Sequence, residues 1–134
     1  MNDPSAVRAG RGGIATPDSR WYFDALRAGR LDLPLCTDCG HFSPPPSALC
    51  SRCGGDRLEP TPSSGMGRVV SVVRDHRAGV TLVAVELDEG PWVAAALEGL
   101  TDPDGAVADL IGARAQMHVV WFTEGEPIPA FRLS

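Results

Sequence analysis

The chain contains no lysine, because all twelve of its basic residues are arginine. Schiff-base catalysis and the lysine-dependent phosphate loop are therefore not available to this protein. Long apolar runs are absent too, and none approaches the roughly 20 residues of a membrane-spanning helix. The sequence also lacks a Gly-x-Ser-x-Gly turn, a His-Glu-x-x-His motif and a glycine-rich phosphate loop. These absences leave no recognisable motif of a hydrolase, a metalloprotease or a nucleotide-binding enzyme.

The N-terminal residues 1–13 contain two arginines but no apolar core, so they do not have the pattern of a secretory signal. We therefore expect a cytoplasmic protein. In a reducing compartment, paired cysteines favour metal binding over disulfide formation.

Four cysteines occur, as two Cys-x-x-Cys-Gly pairs: Cys36 with Cys39, and Cys50 with Cys53. Two such pairs can supply four thiolates to one tetrahedral Zn²⁺. The glycine after each pair permits the positive φ that turns backbone N–H groups toward the sulfurs. We predict one structural Zn²⁺ per chain, because four protein ligands leave no open position for water. Two disulfides are the main alternative, and a redox-active pair is another.

Charge is distributed unevenly along the chain. Residues 1–60 hold seven arginines and seven acidic residues, whereas residues 61–134 hold five arginines and ten acidic residues. The second half therefore carries the whole net charge of −5. Such an acidic half is a poor match for the phosphate backbone of a nucleic acid.

The N-terminal part combines an aperiodic segment with an amphipathic one. Residues 1–15 show no periodicity, and we expect a disordered arm there. An N-terminal helix is predicted within residues 16–30, with Thr16 as the N-cap before a proline. Trp21 and Tyr22 recur at helical spacing with other apolar residues. They either dock onto the rest of the chain or anchor in a partner subunit.

The remaining sequence predicts a ribbon at residues 31–59 and a barrel at residues 60–134, joined by a Pro/Ser-rich linker near residues 59–65. In the barrel region the apolar period is two, which predicts five strands. The predicted strands are residues 67–74, 80–88, 92–98, 113–122 and 128–133. A longer connection with a short helix through residues 106–110 separates the third strand from the fourth. We therefore predict a mainly β chain with an N-terminal helix, a rubredoxin-like zinc ribbon and a five-stranded OB-fold barrel.

Several of the predicted barrel strands are apolar on both faces, although a barrel strand exposed to water should alternate. One apolar face of each strand fills the barrel interior, and the other would be exposed to water. An exposed apolar surface of this size indicates an interface with another protein. The candidate partner-binding residues are Trp21, Tyr22, Val93, Ala95, Leu97, Val120 and Phe122.

The polar residues form no evident catalytic set. The three histidines, His41, His76 and His118, stand apart in the sequence, and His41 is predicted to lie beside the metal rather than bind it. His118 is expected to point outward from its strand. The arginines that could meet the phosphates of coenzyme A are Arg68, Arg74, Arg77 and Arg114.

The order of these parts resembles the DUF35 proteins, which are zinc-ribbon/OB-fold proteins associated with acyl-CoA enzymes. The resemblance rests on Trp-Tyr-Phe-Asp-Ala-Leu-Arg-Ala-Gly-Arg-Leu at 21–31, Leu-Cys-Thr-Asp-Cys-Gly at 35–40, Cys-Ser-Arg-Cys-Gly at 50–54, Gly-Arg-Val-Val-Ser at 67–71 and Val-Glu-Leu-Asp-Glu-Gly-Pro at 85–91. Ile-Gly-Ala-Arg at 111–114 and Pro-Ala-Phe-Arg at 129–132 extend it, so that it runs from about residue 18 to the C-terminus.

The resemblance implies a non-catalytic accessory subunit of a hetero-oligomer. Such a subunit binds and activates or stabilises a thiolase-superfamily partner (a thiolase, an acyltransferase or a steroid side-chain aldolase) that acts on acyl-CoA. Two alternatives stay open at this point. Zinc ribbons and OB barrels also bind single-stranded nucleic acids, and the arginines named above could bind coenzyme A directly.

Overall fold

The computed structural model describes residues 7–100 and 107–134, which belong to two compact units. The first unit comprises residues 1–64 and 119–128, and the second comprises residues 65–118 and 129–134. The elements of the described residues are β1 (Arg8–Arg11), α1 (Arg20–Arg27), β2 (Asp32–Cys36), β3 (Leu58–Pro62), β4 (Met66–Asp75), β5 (Val80–Leu87), β6 (Trp92–Glu98), a 3₁₀ helix (Val107–Leu110), β7 (Arg114–Val120), β8 (Phe122–Glu124) and β9 (Ile128–Leu133).

Helix α1 lies in the first unit and is shorter than the predicted segment 16–30. Its N-cap is Ser19, not Thr16, because residues 16–19 form a turn in which the Thr16 N–H donates to Ser19 Oγ at 2.9 Å. At the other end Gly29 adopts a φ of +81°, and the Arg30 N–H donates to the Ala25 carbonyl, which ends the helix. The buried face consists of Tyr22, Phe23, Ala25 and Leu26.

Part of the predicted disordered arm is a strand. Residues 8–11 form β1, which pairs in parallel with β8, and the Arg8 N–H donates to the Trp121 carbonyl at 2.9 Å. The pairing joins segments that lie far apart in sequence, which local periodicity cannot reveal. Residues 1–6 of the predicted arm lie outside the described residues.

The N-terminal segment passes close to the helix at Gly13. A Cβ built on Gly13 would lie 2.6 Å from Cε1 of Phe23, so only glycine fits at this position without a shift. Gly13 also exchanges two backbone hydrogen bonds of 2.8 Å with Glu126. The segment after β1 is therefore fixed between α1 and the loop that precedes β9.

The Glu126 side chain connects this loop to helix α1. Its Oε1 accepts from Arg20 Nη1 at 2.7 Å, and its Oε2 accepts from Arg27 Nη2 at 2.6 Å. The carboxylate is 12% exposed, whereas both guanidinium groups are about half exposed. The hydrogen bonds from Arg27 and the charges of Arg27 and Arg20 lower the pKa of Glu126 from its ordinary value of 4.5.

Strands β2 and β3 form the sheet of the ribbon. They pair antiparallel from Asp32 opposite Pro62 to Cys36 opposite Leu58. The ribbon therefore continues through residues 58–62, a stretch that overlaps the predicted linker. Its two prolines, Pro60 and Pro62, are compatible with a strand because β3 lies at the edge of a two-stranded sheet.

The second unit contains a five-stranded sheet with the strand order β4-β5-β6-β9-β7, in which β4 also pairs with β7. The ladders from β4 to β6 and from β4 to β7 are antiparallel, whereas β6 and β9 run parallel. The order closes into a barrel, as predicted for an OB-type Greek key. Residues 107–110 of the predicted short helix form a 3₁₀ helix, and residue 106 lies outside the described residues.

The predicted strand 113–122 is divided in two. β7 ends at Val120 and β8 begins at Phe122, where the chain leaves the barrel ladder and pairs with β1. No helix in the described part of the chain is long and apolar enough to cross a membrane.

We predict that Glu126→Gln lowers the free energy of unfolding by about 1–2 kcal/mol at pH 7, because the charge-assisted bonds to half-exposed arginines are lost. The folded pKa of Glu126 is depressed, so its contribution is complete above about pH 4.5 and disappears as the pH falls through that lowered pKa. Urea unfolding followed by tryptophan fluorescence at pH 7 and at pH 3 should therefore show a smaller difference between wild type and variant in acid.

Glu124→Gln provides the matched control, because Glu124 is 70% exposed and its distance to Arg11 is 3.7 Å. This change should alter stability by less than about 0.5 kcal/mol at either pH. Equal effects of the two substitutions would contradict the assignment of Glu126 as the connection.

Candidate metal centre

The four cysteines converge at one end of the ribbon. Their sulfur atoms all lie within 4.8 Å of one another, as the ligands of one metal ion must. Sulfur–sulfur contacts of 3.6 Å join the two pairs: Cys36 contacts Cys53, and Cys39 contacts Cys50. The structure thus brings together the full predicted ligand set, and the donor atoms fit a tetrathiolate metal site.

Each pair sits in a turn of the same construction. The Gly40 N–H donates to the Cys36 carbonyl at 2.8 Å, and the Gly54 N–H donates to the Cys50 carbonyl at 2.9 Å. Both glycines adopt positive φ, +77° and +76°. Glycine reaches this conformation without steric cost, which explains why it follows each Cys-x-x-Cys.

The two turns are connected by a polar network that the sequence did not indicate. Ser43 is fully buried, and its Oγ accepts from the Ser51 N–H at 3.0 Å. Ser51 Oγ lies 3.0 Å from His41 Nε2 and 3.2 Å from Ser43 Oγ. His41 therefore bonds to a neighbour of Cys50 and is not among the four residues whose donor atoms converge. The segment that follows the first cysteine turn, at residues 41–43, therefore hydrogen-bonds to the second cysteine turn and fixes its position.

The electrostatics of the cluster favour a cation. The backbone N–H groups of Cys53 and Arg52 lower the pKa of Cys50 to about 6. The pKa of Cys39 is raised to about 12: the N–H of His41 opposes this rise, but desolvation and the neighbouring sulfurs outweigh it. Four sulfurs this close cannot all ionise without a compensating positive charge, and a bound metal ion supplies it.

The predicted partner-binding residues differ in exposure. Val93, Leu97 and Val120 are buried, as is Tyr22 on the inner face of α1. The outward orientation expected for the β6 residues Val93 and Leu97 is therefore wrong. Sequence alternation gives two faces but does not say which one faces inward.

The other predicted partner residues are partly accessible. Ala95 and Phe122 are half-buried. Trp21 is also half-buried, and it lines a shallow groove of about 130 Å³ in the first unit together with Pro34, Ser47, Leu58 and Pro60. These residues stay predictions as contacts of a partner.

The exposed apolar face of the barrel lies on the other side of the sheet from Val93 and Leu97. Val73, Leu82 and Trp92 are 59%, 46% and 56% exposed, and they lie on the adjacent strands β4, β5 and β6. An uncovered apolar surface is present as predicted, but different residues form it.

The four arginines considered for coenzyme A are not one cluster. Arg68 and Arg114 lie opposite each other on β4 and β7, but each binds a carboxylate: Arg68 pairs with Glu86 at 2.8 Å, and Arg114 makes two bonds to Asp88. The hydrogen bonds from Arg114 lower the pKa of Asp88. These ion pairs already neutralise the two guanidinium groups that lie together.

Arg74 and Arg77 lie toward the opposite end of β4. Arg74 is half-buried, with its Nε enclosed by protein, whereas Arg77 is exposed in the following turn, where its N–H donates to Asp75. The structure therefore does not assemble the four arginines into one phosphate site.

His118 is more enclosed than predicted. Its Nε2 lies 2.7 Å from Glu98 Oε1, and the two side chains are only 16% and 22% exposed. His76 is exposed in the turn after β4. No sequence pattern indicates the contact between His118 and Glu98, because the two residues are on the non-adjacent strands β7 and β6.

Comparisons with known proteins agree with this architecture. Residues 23–59 match the model of the ChsH2 rubredoxin-like zinc ribbon domain. Among solved structures, the chain is similar to the Ltp2-ChsH2(DUF35) aldolase, with a TM-score of 0.72 and 23% identity over 91% of this chain and 98% of that one. It is also similar to a DUF35 protein of unknown function from Sulfolobus solfataricus, with a TM-score of 0.60 and 14% identity over 90% of this chain and 87% of that one. No curated protein matches the sequence. The predicted resemblance to DUF35 proteins is thereby confirmed.

We predict that Cys36→Ser or Cys53→Ser abolishes metal binding and unfolds residues 31–58, because the metal is the main cross-link between the two turns. Metal analysis by mass spectrometry and amide hydrogen exchange of the ribbon would measure both effects. Thr37→Ser, an exposed change within the first turn, should preserve metal and protection. A stoichiometric metal in either cysteine variant would refute the four-thiolate site.

We also predict that Ser43→Ala weakens metal binding by about 10-fold, because it removes the acceptor that holds the second turn. Competition with a chromogenic chelator would measure the affinity. Ser47→Ala is the control, since Ser47 Oγ bonds only locally, to the Pro44 carbonyl. Unchanged affinity in Ser43→Ala would show that the network does not support the site.

Proposed function

We propose that this chain is a non-catalytic accessory subunit that binds and activates or stabilises a thiolase-superfamily partner acting on acyl-CoA. The partner would be a thiolase, an acyltransferase or a steroid side-chain aldolase, and the complex a hetero-oligomer in the cytoplasm. The observation that carries the proposal is the similarity to the Ltp2-ChsH2(DUF35) aldolase over nearly the full length of both chains. That protein is named as an aldolase of Ltp2 and ChsH2(DUF35), and the zinc-ribbon model that matches residues 23–59 also carries the ChsH2 name.

The metal centre supports an architectural role. We assign one Zn²⁺ per chain, because a compact site of four thiolates is the typical structural zinc site. Four protein ligands leave no position at which the metal could activate water or polarise a substrate. The ribbon would instead present a rigid shape to the partner, and the chemistry would take place on the other chain.

The two alternative functions are less well supported by the described surface. A single-strand binder needs a basic groove with exposed aromatic residues, whereas the second unit holds five arginines and eight acidic residues. A direct coenzyme A site would need arginines free to meet phosphates. The two arginines that lie together, Arg68 and Arg114, are both bound to carboxylates.

Co-expression with a thiolase-superfamily protein, chosen from the genes that flank the gene of this chain, tests the proposal. We expect the two chains to co-elute in size-exclusion chromatography, and we expect the partner alone to be insoluble or to lose most of its acyl-CoA activity. A preparation carrying Cys36→Ser should lose the effect together with its zinc, if the folded ribbon is required. If the partner is soluble and fully active alone, and the two chains elute separately, the proposal fails.

A further inference from the structure

The four cysteines of the metal centre differ in their access to solvent. In each Cys-x-x-Cys pair the first cysteine is buried and the second is exposed: Cys36 and Cys50 are buried, whereas Cys39 and Cys53 are exposed. A bound zinc ion would keep all four sulfurs as thiolates, the form that reacts with oxidants. An exposed thiolate beside a second sulfur is the arrangement of an oxidant-sensitive cysteine. The centre contains two such cysteines.

Each exposed cysteine contacts a buried cysteine of the other turn. Cys53 Sγ lies 3.6 Å from Cys36 Sγ, and Cys39 Sγ lies 3.6 Å from Cys50 Sγ, both in the geometry of an S–H···S hydrogen bond. A disulfide bond is about 2.05 Å long. The two sulfurs of each contact therefore have to approach by about 1.5 Å, a movement shared between two side chains.

Disulfides between the turns would replace the cross-link that the metal supplies. The pairs Cys36–Cys53 and Cys39–Cys50 span 17 and 11 positions of the sequence. A disulfide within one Cys-x-x-Cys would span only three positions and would leave the two turns unconnected. Since closure of a longer loop removes more entropy from the unfolded chain, thiol–disulfide exchange should favour the links between the turns.

We propose that hydrogen peroxide exchanges the zinc of this ribbon for two disulfides between the turns, Cys36–Cys53 and Cys39–Cys50, which keep the ribbon folded. The exposed thiolate attacks the peroxide, whose O–O bond breaks; a sulfenic acid forms and one hydroxide ion leaves. The buried thiolate then attacks the sulfenic sulfur, which forms the S–S bond and displaces a second hydroxide ion. Each disulfide takes two electrons from two thiolates and reduces one peroxide, so complete exchange consumes two peroxides per chain.

Loss of zinc follows from the loss of its ligands. The first disulfide removes two of the four thiolates, and a structural zinc site needs four ligands. Reduction of both disulfides by a dithiol restores the thiolates, so the exchange is reversible when zinc is supplied. The inference goes beyond the proposed function and does not depend on it, because it concerns only the sulfurs of this chain.

The disulfide pairing can be read directly, because the sequence provides a cleavage site within each pair. Asp38 lies between Cys36 and Cys39, and Arg52 lies between Cys50 and Cys53. Digestion with trypsin and endoproteinase Asp-N therefore gives fragments 32–37, 38–52 and 53–55. After two equivalents of peroxide, mass spectrometry without reductant should show 32–37 joined to 53–55, and 38–52 with an internal disulfide. An assembly of all three fragments would mean another pairing and would overturn the proposal.

The order of oxidation is a second readout. Dimedone, which traps sulfenic acids, should label Cys39 or Cys53 before it labels Cys36 or Cys50. A zinc indicator should report one ion released per chain, and dithiothreitol with added zinc should restore the starting state. Early labels on the buried cysteines, or sulfinic acids without disulfides, would contradict the mechanism.

Amide hydrogen exchange tests whether the oxidised ribbon stays folded. The matched control is the same chain stripped of zinc by a chelator in the presence of dithiothreitol, so no substitution is needed. We expect exchange in β2 and β3 to be at least about 10-fold slower in the oxidised, zinc-free chain than in this control. Equal exchange in the two samples would show that the disulfides do not replace the metal.

Discussion

The convergence of four cysteine sulfurs is the constraint on which the ribbon depends. The segment between the two turns contains prolines and small polar residues and no regular element of its own. Few buried apolar side chains are available there to offset the entropy of ordering it. A metal ion bound by both turns would supply that cohesion, and the hydrogen bond from the Ser51 N–H to the buried Ser43 Oγ ties the second turn to the segment before it. The short sheet of β2 and β3 then extends the fixed geometry away from the metal.

The sequence predicted the elements whose signals are local. The Cys-x-x-Cys-Gly pairs and the apolar period of two in the barrel strands each depend on neighbouring residues, and the structure contains both features. It did not predict β1, because the partner strand β8 is remote in sequence. It also assigned Val93 and Leu97 to the wrong side of β6, because valine, alanine and leucine fill both faces and hydrophobicity alone cannot orient such a strand.

The sequence predicted the four cysteine ligands of the metal site, but it did not predict the hydrogen bonds that connect the two cysteine turns. Thiolate spacing is diagnostic of a metal site, whereas the bonds among His41, Ser43 and Ser51 arise from how the turns approach each other. The same limit applied to the arginines. Sequence could count them, but only the strand register showed that Arg68 and Arg114 lie together and that carboxylates already occupy both. A role in assembly rather than catalysis agrees with a chain whose distinctive features are a closed metal site and an uncovered apolar face.

The pairing of β1 with β8 has a consequence for how the protein is made. Gly10 and Thr123 bond to each other across 113 positions, and the first unit takes segments from both ends of the sequence. During synthesis the N-terminal segment emerges long before residues 119–128, so the first unit cannot be completed until strands β4 to β7 have left the ribosome. Contacts this distant in sequence slow folding. The nascent chain would therefore expose its N-terminal strand edge for most of translation, an interval in which chaperones can bind it.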